Sequence, residues 1–553
     1  MPDLRLLEAE PSAAERIAID AVLGPGNGAN GRVARDDRTK RHLLLPALRA
    51  AQLRVGWVSE GALGYASRRL AVPPAEAYGV ASFYALLALD ERPADITHYC
   101  TDLSCMLKGA TVPPGGHASP CLGLCERAPA SYRTIAGEQP VEEQIPAAGP
   151  PLPQAGDSGL RLLRRIAAGV DPESIDAYIQ AGGFESLRRA QELGPDAVLE
   201  QVVESRLLGR GGAAFPTGVK WEAVAKQAAQ PHYLVCNADE SEPGTFKDRV
   251  LMEQDPFALV ESMAIAALAT GSSKGFVYVR AEYPLAHRRV QNAIDLAASR
   301  GFLQGFEIEL RIGAGAYVCG EETALFQSIE GYRGEPRNKP PFPVEVGLFG
   351  KPTAVNNVET LFNVLDVVSD GGEAFAGIGT ESSTGTRLFC VSGCVGRPGL
   401  YELPFGATLR SLLDLAGSAP PKAVLLGGAA GAFVGPDLLD LPLTYEDTRA
   451  AGVTLGSGVV IVYDKDADLV GALLRIAEFF RDESCGQCVP CRVGTVRQEE
   501  ALKRLAAGRA QAGELQTLAE LAQVMRDASI CGLGQTAANA VASAIANLGV
   551  FAA

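Results

Sequence analysis

The sequence predicts a protein of several domains with a mixed α/β architecture. Its 553 residues correspond to about three to four domains at roughly 150 residues each. Beyond residue 209, glycine-rich turns alternate with short β-branched strands and apolar helices, an order typical of layered α/β folds. A stretch rich in proline, alanine and glycine at 145–159 indicates a linker. We therefore expect an N-terminal part, a linker and a larger α/β part after it.

Composition and charge exclude several classes of function. Lys and Arg total 50 against 65 Asp and Glu, which gives a formal net charge of −15. Such a chain, without a basic block, lacks the attraction that nucleic acids and anionic membranes require. The N-terminus has acids where an export signal needs a positive end, and no apolar run reaches the roughly 18 residues that span a bilayer. We expect a cytoplasmic protein with no nucleic-acid partner and no direct membrane insertion.

The N-terminal part divides into two patterns. Residues 1–80 carry the apolar spacing of helices, for example at Leu44 and Leu48. From 81 to 144 the pattern shortens to a strand at 96–99, followed by loops that contain cysteines. We predict a helical N-terminal region followed by a small domain built on a few strands.

The part after the linker divides into three. Residues 160–372 carry the α/β alternation, with expected strands at 233–236 and 275–279. Residues 386–463 form a strand-rich block with glycine turns, and residues 464–553 return to helical spacing. The sequence contains no internal repeat and no heptad pattern.

The first group of cysteines consists of two close pairs, Cys100 with Cys105 and Cys121 with Cys125. Because nothing directs the chain to an oxidising compartment, clustered cysteines indicate metal or redox centres rather than disulfides. Four thiolates can hold a binuclear iron centre with two sulfurs on each iron. A four-cysteine zinc site and buried apolar cysteines are the alternatives.

The second group is Cys485, Cys488 and Cys491, followed by Cys531 after a separation of 39 residues. Three cysteines two residues apart suit one face of a cubane cluster, and a distant fourth completes it. Zinc sites rarely combine so tight a triplet with so distant a fourth ligand. The spacing therefore predicts a 4Fe–4S cluster.

Four further blocks combine glycines, acids or prolines. A glycine-rich run at 209–220 suits a phosphate, although a plain tight loop explains it equally well and it matches neither the Rossmann nor the P-loop pattern. The strand at 233–236 runs into three acids, Asp239, Glu240 and Glu242, at a position where α/β folds bind ligands. The other two blocks are Gly313–Thr323, with paired acids, and Asn338–Pro343, whose Pro-Pro turn presents Phe342.

In this combination and order, residues 160–553 closely resemble the NADH-binding flavoprotein subunit of the respiratory complex I family. Residues 30–140 resemble the small thioredoxin-like iron–sulfur subunit of the same complex, fused ahead of it. The motifs that carry the resemblance are specific and stand in the family order: Gly209–Lys220, Asn237–Arg249, Gly313–Thr323, Lys339–Pro343, Val355–Thr360 and the second group of cysteines.

The resemblance implies the fold of each part. It implies a thioredoxin-like 2Fe–2S domain at 81–144 and a Rossmann-like FMN- and NADH-binding α/β domain at 160–372. It further implies a ubiquitin-like, soluble-ligand-binding β-grasp domain at 386–463 and a C-terminal helical bundle at 464–553 that holds the 4Fe–4S cluster. The implied cofactors are FMN, NAD, one 2Fe–2S cluster and one 4Fe–4S cluster.

The resemblance also implies the site residues. Glu242 and Glu240 would be the catalytic carboxylates, which orient the nicotinamide and disfavour retention of bound anions. NAD would meet Phe215, Glu242, Lys339 and Phe342. The two groups of cysteines would ligate the 2Fe–2S and the 4Fe–4S cluster. FMN would be bound by Gly211, Lys220, Asn237, Asp239, Glu240, Tyr317, Gly320, Glu321, Glu322, Asn356 and Asn357.

This sequence departs from the family pattern at three places. Only 15 residues separate Cys105 from Cys121, where relatives have a longer stretch with a helix. Ala214 replaces a usual glycine of the first loop, and Ala223 stands where complex I proteins usually have phenylalanine. The remaining cysteines, Cys236, Cys319, Cys390 and Cys394, are expected to be packed side chains.

The predicted function is that of a diaphorase subunit, which moves electrons between NAD(H) and iron–sulfur clusters through FMN. The fusion and Ala223 favour the NAD-reducing subunit of a metal-dependent formate dehydrogenase, whose larger iron–sulfur subunit with molybdenum or tungsten carries the substrate site. The alternatives are the diaphorase of an NAD-reducing hydrogenase and the NADH dehydrogenase module of complex I. A flavin-less iron–sulfur scaffold or redox sensor is the alternative of another class. The acids near the cofactor favour NAD over NADP.

Overall fold

The computed structural model describes residues 9–24, 37–150 and 159–551. Most of the predicted linker at 145–159, and parts of the predicted helical region at 1–80, lie outside the described residues. Within them, the protein has the mixed α/β, multidomain architecture that the sequence predicts.

The helical N-terminal region packs four α-helices on an apolar core that it shares with residues of the 160–372 part of the chain, such as Phe276 and Phe326. Ser12 and Glu15 cap the first helix reciprocally, and Tyr84 after the last helix donates a hydrogen bond to Ser328 Oγ over 2.8 Å. This bond also joins the region to that part rather than to the unit that comes next in the chain. The elements are α1 (Ala13–Leu23), a 3₁₀-helix (Asp37–Leu43), α2 (Leu44–Val55), α3 (Glu60–Leu70) and α4 (Pro74–Ala81).

The next unit, which we call the cysteine-loop domain, is a four-stranded sheet. Its strand order is β2-β1-β3-β4, and only β1 and β2 run parallel. The elements are β1 (Asp95–Cys100), α5 (Leu103–Leu107), β2 (His117–Ser119), a 3₁₀-helix (Cys125–Arg127), β3 (Ser131–Ile135) and β4 (Val141–Ile145). In the first group of cysteines, Cys100 ends β1, Cys105 lies on α5, Cys121 follows β2 and Cys125 begins the 3₁₀-helix.

The third unit, the parallel-sheet domain, contains the strands predicted at 233–236 and 275–279. All its strands are parallel, in the order β7-β6-β5-β8. The elements are α6 (Arg164–Ala167), α7 (Ile175–Gln180), α8 (Glu185–Leu193), α9 (Pro195–Glu204), α10 (Thr217–Ala225), β5 (His232–Ala238), α11 (Lys247–Gln254), α12 (Pro256–Thr270), β6 (Ser272–Val279), α13 (Pro284–Ser299), β7 (Glu307–Ile312), α14 (Glu322–Ile329), β8 (Thr353–Asn357), α15 (Val358–Asp370) and α16 (Gly372–Ala376), with 3₁₀-helices at Tyr317–Gly320 and Leu348–Gly350.

The strand order of the parallel-sheet domain creates a switch point. Strands β5, β6 and β7 follow one another outward, and the chain then returns to place β8 on the other side of β5. The helices that follow β5 and β8 pack on one face of the sheet, where α12 contacts α15, whereas α14 before β8 packs on the other face with the N-terminal helices. The carboxyl ends of β5 and β8 lie side by side where the strand order reverses, and we call this edge of the sheet the crevice. Such crevices are where open α/β sheets bind ligands.

The fourth unit, the five-stranded domain, is a mixed sheet in the order β10-β9-β13-β11-β12. Its central strands β9 and β13 run parallel, and both are buried along their whole length. The elements are β9 (Thr386–Gly393), β10 (Gly399–Pro404), α17 (Leu409–Leu415), β11 (Ala423–Leu426), β12 (Ala432–Val434), a 3₁₀-helix (Pro436–Leu438), α18 (Tyr445–Ala450) and β13 (Val459–Tyr463).

The C-terminal helical bundle completes the described chain. Its helices pack on one core with parts of the five-stranded domain, including Phe433 and Ile461. No helix in the described ranges is long and apolar enough to cross a membrane. The elements are α19 (Leu469–Glu483), α20 (Val489–Ala506), α21 (Glu514–Ala528), α22 (Gly532–Thr536) and α23 (Asn539–Leu548).

Candidate functional site

The crevice at the switch point collects the polar residues that follow β5 and end β8. Asn237 and Asn357 are partners in the register of these two strands, and Cys236 is the partner of Asn356. Asp239 follows directly after β5. Predicted FMN residues from both strands thus meet at one edge because the parallel register brings the ends of the two strands together.

Two buried polar atoms at this edge have no partner within the described residues. Asn356 accepts a hydrogen bond from Trp221 Nε1 over 3.2 Å, but its own Nδ2 donates to nothing. Asp239 Oδ1 accepts from Ser241 Oγ over 3.2 Å, and its Oδ2 is left unpaired. Burial raises the pKa of the Asp239 carboxyl to about 8. Because buried polar groups are normally satisfied, an unpaired donor and an unpaired carboxyl here fit a polar cofactor such as FMN.

The glycine-rich loop at 209–213 faces the N-terminus of α15. The Arg210 amide donates to Thr360 Oγ1 over 2.8 Å, and a Cβ on Gly211 would lie 3.1 Å from Asn357 Cβ. A glycine-rich loop at the positive end of a 13-residue helix suits an anionic group.

Ala214 in this loop has a φ of +52°, in the left-handed region. Glycine adopts this conformation without strain, whereas an L-residue has a backbone cost of about 1 kcal/mol. The departure from the family's glycine at this position is therefore accommodated at a modest conformational cost.

Lys220 lies on α10, one turn beyond the glycine-rich loop. Its Nζ donates to Val355 O over 2.7 Å, at the edge of β8. Burial lowers the pKa of the Lys220 ammonium, whereas the nearby carboxylate of Glu322 raises it. The structure thus brings three segments together around the Lys220 ammonium: the glycine-rich loop, strand β8 and the loop Gly313–Thr323, which we call the third loop.

The third loop forms a direct hydrogen bond with the end of β5, where the second loop, Asn237–Arg249, begins. Asn237 Nδ2 donates to Gly320 O over 2.8 Å, and a Cβ on Gly320 would lie 3.5 Å from Asp239 O. Glu321 Oε2 accepts from the Thr323 and Ala324 amides, so it caps the N-terminus of α14. Its main contribution is to fix the loop in this position.

The two glutamates predicted to be catalytic have different surroundings. Glu240 is buried and uses both oxygens inside the protein: it accepts from Thr245 Oγ1 and from the Asp248 and Arg249 amides at the start of α11, each over 2.9 Å. Tyr283 Oη donates to it over 3.2 Å. Burial raises the pKa of its carboxyl to about 7. In this structure Glu240 organises the loop and anchors α11.

Glu242 instead joins the parallel-sheet domain to the five-stranded domain. Its Oε2 accepts from Tyr317 Oη over 2.5 Å, and its Oε1 accepts from the Ala430 amide of the five-stranded domain over 2.8 Å. A Cβ on Gly428 would lie 2.5 Å from Glu242 Cγ. Burial raises the pKa of the Glu242 carboxyl to about 7, so it exchanges a proton near neutral pH.

Three of the four residues predicted to meet NAD, Phe215, Lys339 and Phe342, are partly or largely exposed, whereas Glu242 is held between Tyr317 and Ala430. Phe215 is 50% exposed and has Lys220 Nζ 5.8 Å from its ring centre, and Phe342 is 51% exposed, so both rings are accessible for stacking. Lys339 Nζ donates to Glu321 Oε1 over 2.9 Å and to Glu322 Oε1 over 2.7 Å. The two carboxylates hold this ammonium next to the predicted FMN loop. Ala223 is half-buried on α10.

The first group of cysteines is enclosed. All four side chains are at most 5% exposed, and the Sγ atoms of Cys121 and Cys125 are 3.3 Å apart. Asp102 joins the two pairs, because it accepts from the Leu103 amide and, over 3.2 Å, from the Cys121 amide. The short segment after Cys105 forms α5 and β2 without a further helix.

Two arginines of the parallel-sheet domain donate hydrogen bonds to the backbone around the first group of cysteines. Arg280 donates to Cys121 O over 2.8 Å and to Glu240 O over 2.7 Å, and Arg249 donates to Gly123 O over 2.9 Å. A Cβ on Gly123 would lie 2.0 Å from Tyr283 Oη. No sequence pattern indicates these contacts, because each arginine lies more than 100 residues from the carbonyl that it binds in the cysteine-loop domain.

The second group of cysteines lies near the surface. Its four members line one small cavity with Ile530 and Leu533, and only Cys491 is fully buried. Cys488 is the N-cap residue of α20 and Cys531 that of α22, so both sulfurs lie at helix N-termini, where thiolates are favoured.

Glu483 connects the second group of cysteines to the third loop. It is the last residue of α19, two residues before Cys485, and it accepts from the Tyr317 amide over 2.8 Å. Tyr317 therefore contacts Glu242 on one side and Glu483 on the other. The sequence placed Glu483 next to the cysteines but offered no sign of its contact with Tyr317.

Three family models match this chain. The Nuo51 FMN-binding domain matches residues 202–366, and the NADH-ubiquinone oxidoreductase-F iron-sulfur binding region matches residues 471–549. The thioredoxin-like [2Fe-2S] ferredoxin model matches residues 31–112, which contain only the first pair of cysteines. Its end at 112 coincides with the segment that is shorter here than in relatives.

The chain is similar to curated proteins over about two thirds of its length. It is 44% identical over 397 residues to the NADP-reducing hydrogenase subunit HndC of Solidesulfovibrio fructosivorans, which covers 69% of this chain and 81% of that protein. It is 43% identical over 402 residues to the F subunit of the NADH-quinone oxidoreductase of Aquifex aeolicus, which covers 70% of this chain and 93% of that protein.

Solved structures extend the similarity over almost the whole chain. The crystal structure of an NAD⁺-reducing [NiFe]-hydrogenase in the H₂-reduced state matches with a TM-score of 0.78 and 33% identity, over 93% of both chains. The air-oxidized state of an NAD⁺-reducing [NiFe]-hydrogenase matches with a TM-score of 0.77 and 32% identity, over 94% of both chains. These structures therefore match more of the chain than the two curated proteins do.

Proposed function

Because the chain belongs to the family of flavoproteins represented by the F subunit of NADH-quinone oxidoreductase, we propose that it works as a diaphorase subunit that exchanges electrons between NAD(H) and a partner protein. It is an oxidoreductase subunit with FMN, a 2Fe–2S cluster and a 4Fe–4S cluster. FMN supplies the conversion between hydride transfer, which moves two electrons, and iron–sulfur clusters, which accept one. The observation that carries the proposal is the contact of Tyr317 with both Glu242 and Glu483, which joins the flavin crevice to the second group of cysteines.

The crevice residues divide into two ends of the FMN site. Gly211 and Lys220, with the start of α15, provide the anionic end. Asn356 and Asp239 provide the unpaired donor and the unpaired carboxyl for the ring end. We assign the remaining members of the site to the walls of the crevice: Asn237, Glu240, Tyr317, Gly320, Glu321, Glu322 and Asn357.

NAD(H) is assigned to the outer side of the same loops. Phe215 and Phe342 offer exposed ring faces for the adenine, and Lys339, held by two carboxylates, meets polar groups of the dinucleotide. The acids around Lys339 repel the additional phosphate of NADP, so we propose that NAD is preferred.

Glu242 is the better candidate for a catalytic carboxylate. It has one oxygen on Tyr317 and one on the Ala430 amide, so its position is fixed from both sides while its pKa lies near 7. A carboxylate held in this way orients the nicotinamide by hydrogen bonds. We propose that Glu240 acts as a positioning residue, because its oxygens are used within the protein.

We infer that electrons pass between this chain and its partner through the second group of cysteines. Val489, Val493 and Val496 lie at helical spacing on α20 and are 58%, 45% and 36% exposed. Ile530, next to Cys531, is a further exposed apolar side chain at 36%, and we call these four residues the valine surface. Exposed apolar side chains beside a redox centre fit the docking of a larger iron–sulfur subunit.

Two kinds of partner are candidates. The fusion of the N-terminal part and Ala223 favour a molybdenum- or tungsten-containing formate dehydrogenase. The similarity over 93% of the chain to an NAD⁺-reducing [NiFe]-hydrogenase favours a hydrogenase partner. The described residues include neither a formate nor a hydrogen site, so in both cases the partner supplies the substrate. The cysteines are all free thiols, which fits a cytoplasmic location.

Affinity purification of the chain from its native cells, followed by mass spectrometry and metal analysis, tests the partner. A partner that contains molybdenum or tungsten would identify a formate dehydrogenase, and one that contains nickel would identify a hydrogenase. Membrane subunits among the partners would identify the NADH dehydrogenase module of complex I. Flavin release on denaturation tests the diaphorase itself. A brown protein that releases no FMN is a scaffold or redox sensor, and the proposal would then be wrong.

A further inference from the structure

Two buried arginines lie where the glycine-rich loop meets the five-stranded domain. Arg210 belongs to the loop and Arg387 to β9, and both are 0% exposed. Arg210 donates to Leu208 O, Thr384 O and Thr386 O, and its guanidinium lies 4.7 Å from the centre of the Phe405 ring. Arg387 donates to Tyr445 Oη and to Gly456 O. Both guanidiniums therefore bind neutral groups.

Neither arginine forms an ion pair with a carboxylate of the described residues. The carboxylate that raises the pKa of Arg210, Glu359, already lies 3.1 Å from Lys247 Nζ. Burial is the main cause that lowers the pKa of Arg210, and the charge of Arg387 lowers it further, which places the two cations close together. Buried charges are normally paired, since removing them from water is costly. Glu359 compensates these cations only in part, because it also pairs with Lys247, and the interface therefore favours a further anion.

Three unsatisfied polar atoms lie in the same place. Arg210 Nε, Arg387 Nε and Ser457 Oγ are buried and have no hydrogen-bond partner in the described part of the chain. A Cβ on Gly212 would lie 3.6 Å from Gly456 C and 3.9 Å from Ser457 N, so the loop before β13 packs directly on the glycine-rich loop. Tyr445 Oη completes the link, because it accepts from Arg387 and donates to Gly209 O over 3.1 Å.

We propose that Arg387 and Ser457 of the five-stranded domain, together with Arg210, supply positive charge and polar contacts for the FMN phosphate at the glycine-rich loop, so that this domain selects FMN over riboflavin. The inference rests on the proposed assignment of the glycine-rich loop to the FMN phosphate. The phosphate is the only part by which FMN differs from riboflavin, and its charge is what a buried guanidinium distinguishes. Arg387 is thus a positioning residue for the cofactor.

The test is flavin binding by the full-length chain after removal of its flavin, measured by quenching of flavin fluorescence. Arg387→Gln is expected to weaken FMN binding by about tenfold or more and riboflavin binding by less than about threefold. Arg387→Lys keeps the charge and is expected to retain FMN affinity within about threefold. The matched control is Arg397→Gln, which removes the same charge from an exposed position of the same domain.

Ser457→Ala provides a second, smaller change should Arg387→Gln fail to fold. It is expected to weaken FMN binding by about threefold and to leave riboflavin binding unchanged. Equal weakening of both flavins, or no change in either, would overturn the inference, because the residues would then be structural. Binding of ADP-ribose to the flavin-loaded protein shows whether these residues act on the phosphate of FMN or on the phosphates of the dinucleotide. If Arg387→Gln weakens only ADP-ribose binding, the loop serves the dinucleotide and the inference is wrong.

The wild-type titration separates this inference from the proposed function. Stoichiometric FMN binding with unchanged FMN preference in the variants rejects the role of the arginines and leaves the diaphorase intact. A wild-type chain that binds neither flavin rejects both.

Discussion

The two groups of cysteines occupy opposite environments in one chain. The first group is at most 5% exposed and is held by hydrogen bonds from Arg249 and Arg280 of another domain. In the second group three of the four cysteines are half-buried, and the exposed valine surface lies beside them. A redox centre that exchanges electrons with a partner must lie near the surface, whereas an enclosed one communicates inside the chain. The difference assigns the exit to the second group.

Replacing one cysteine of the second group should have the largest effect among these tests. Cys485→Ser is expected to abolish the 4Fe–4S signal of the NADH-reduced protein and to slow reduction of the co-purified partner more than about 100-fold, because three ligands rarely hold the cluster. Electron paramagnetic resonance and partner reduction are the measurements. FMN content should not change. Cys394→Ser, at a half-buried cysteine outside both groups, is the control. An unchanged 4Fe–4S signal would show that the ligand assignment is wrong.

The enclosure of the first group depends on Gly123. Gly123→Ala places a Cβ 2.0 Å from Tyr283 Oη at a φ of +67°, so both overlap and backbone strain oppose docking. The free energy of unfolding is expected to fall by about 2 to 4 kcal/mol. The measurement is the urea concentration at which the 2Fe–2S absorption band is lost, which should be lower in the variant. Gly109→Ala has a similar φ of +71° with no neighbour within 4 Å, and it should cost only about 1 kcal/mol. Equal effects of the two variants would show that the contact with Tyr283 is unimportant.

The valine surface provides a milder test of the exit. Val493→Glu is expected to weaken binding of the partner by about tenfold, because a charge would be buried in an apolar interface. NADH oxidation with a small artificial acceptor should remain unchanged. The control is Ile17→Glu, at a residue that is 65% exposed on α1, far along the chain. If both variants bind the partner equally well, the partner docks elsewhere.

The pH dependence of stability should differ between the two regions. The raised pKa of Asp239, about 8, means that its contribution is fully present below about pH 4, the unfolded value, and is lost progressively as the pH rises to about 8. Asp239→Asn in the flavin-free protein should therefore lessen the fall in unfolding free energy between pH 5 and 8 by as much as about 4 kcal/mol, at about 1.4 kcal/mol per pH unit.

Glu514 in the helical bundle should behave in the opposite sense. Its hydrogen bond to Arg504 lowers its pKa to about 2, so its contribution is present near neutral pH and is lost as the pH falls through 2. Glu514→Gln should destabilise the protein at pH 7 and leave the slope between pH 5 and 8 unchanged. Urea unfolding at the two pH values measures both variants, and parallel slopes for them would contradict this contrast.

Much of the site was predictable because its motifs are local. Each loop of the crevice follows a strand or precedes a helix, and the spacing of the cysteines reports their common centre directly. Contacts between distant segments were not predictable. Glu240 resembles a catalytic acid by its position among acids, but the start of α11 takes up its oxygens, and only the folded backbone brings those amides to it.

Arg387 and the valine surface illustrate the same limit. A buried arginine and an exposed one look alike in a sequence, and only the packing of β9 beneath the glycine-rich loop leaves Arg387 without water or a carboxylate. Valines at helical spacing normally indicate a buried face. Here α20 turns three of them outward, because its other side packs on α19 and α21.

The close fit of Gly123 against Tyr283 has a consequence for building chimeras. The cysteine-loop domain is shaped to this particular neighbour, with Arg249 and Arg280 arranged for its backbone carbonyls. A domain exchanged from a relative would need the same glycine, the same backbone path around it and a segment as short as that between Cys105 and Cys121. The two parts of this fusion are therefore an adapted pair, and one of them cannot be replaced without redesigning the surface of the other.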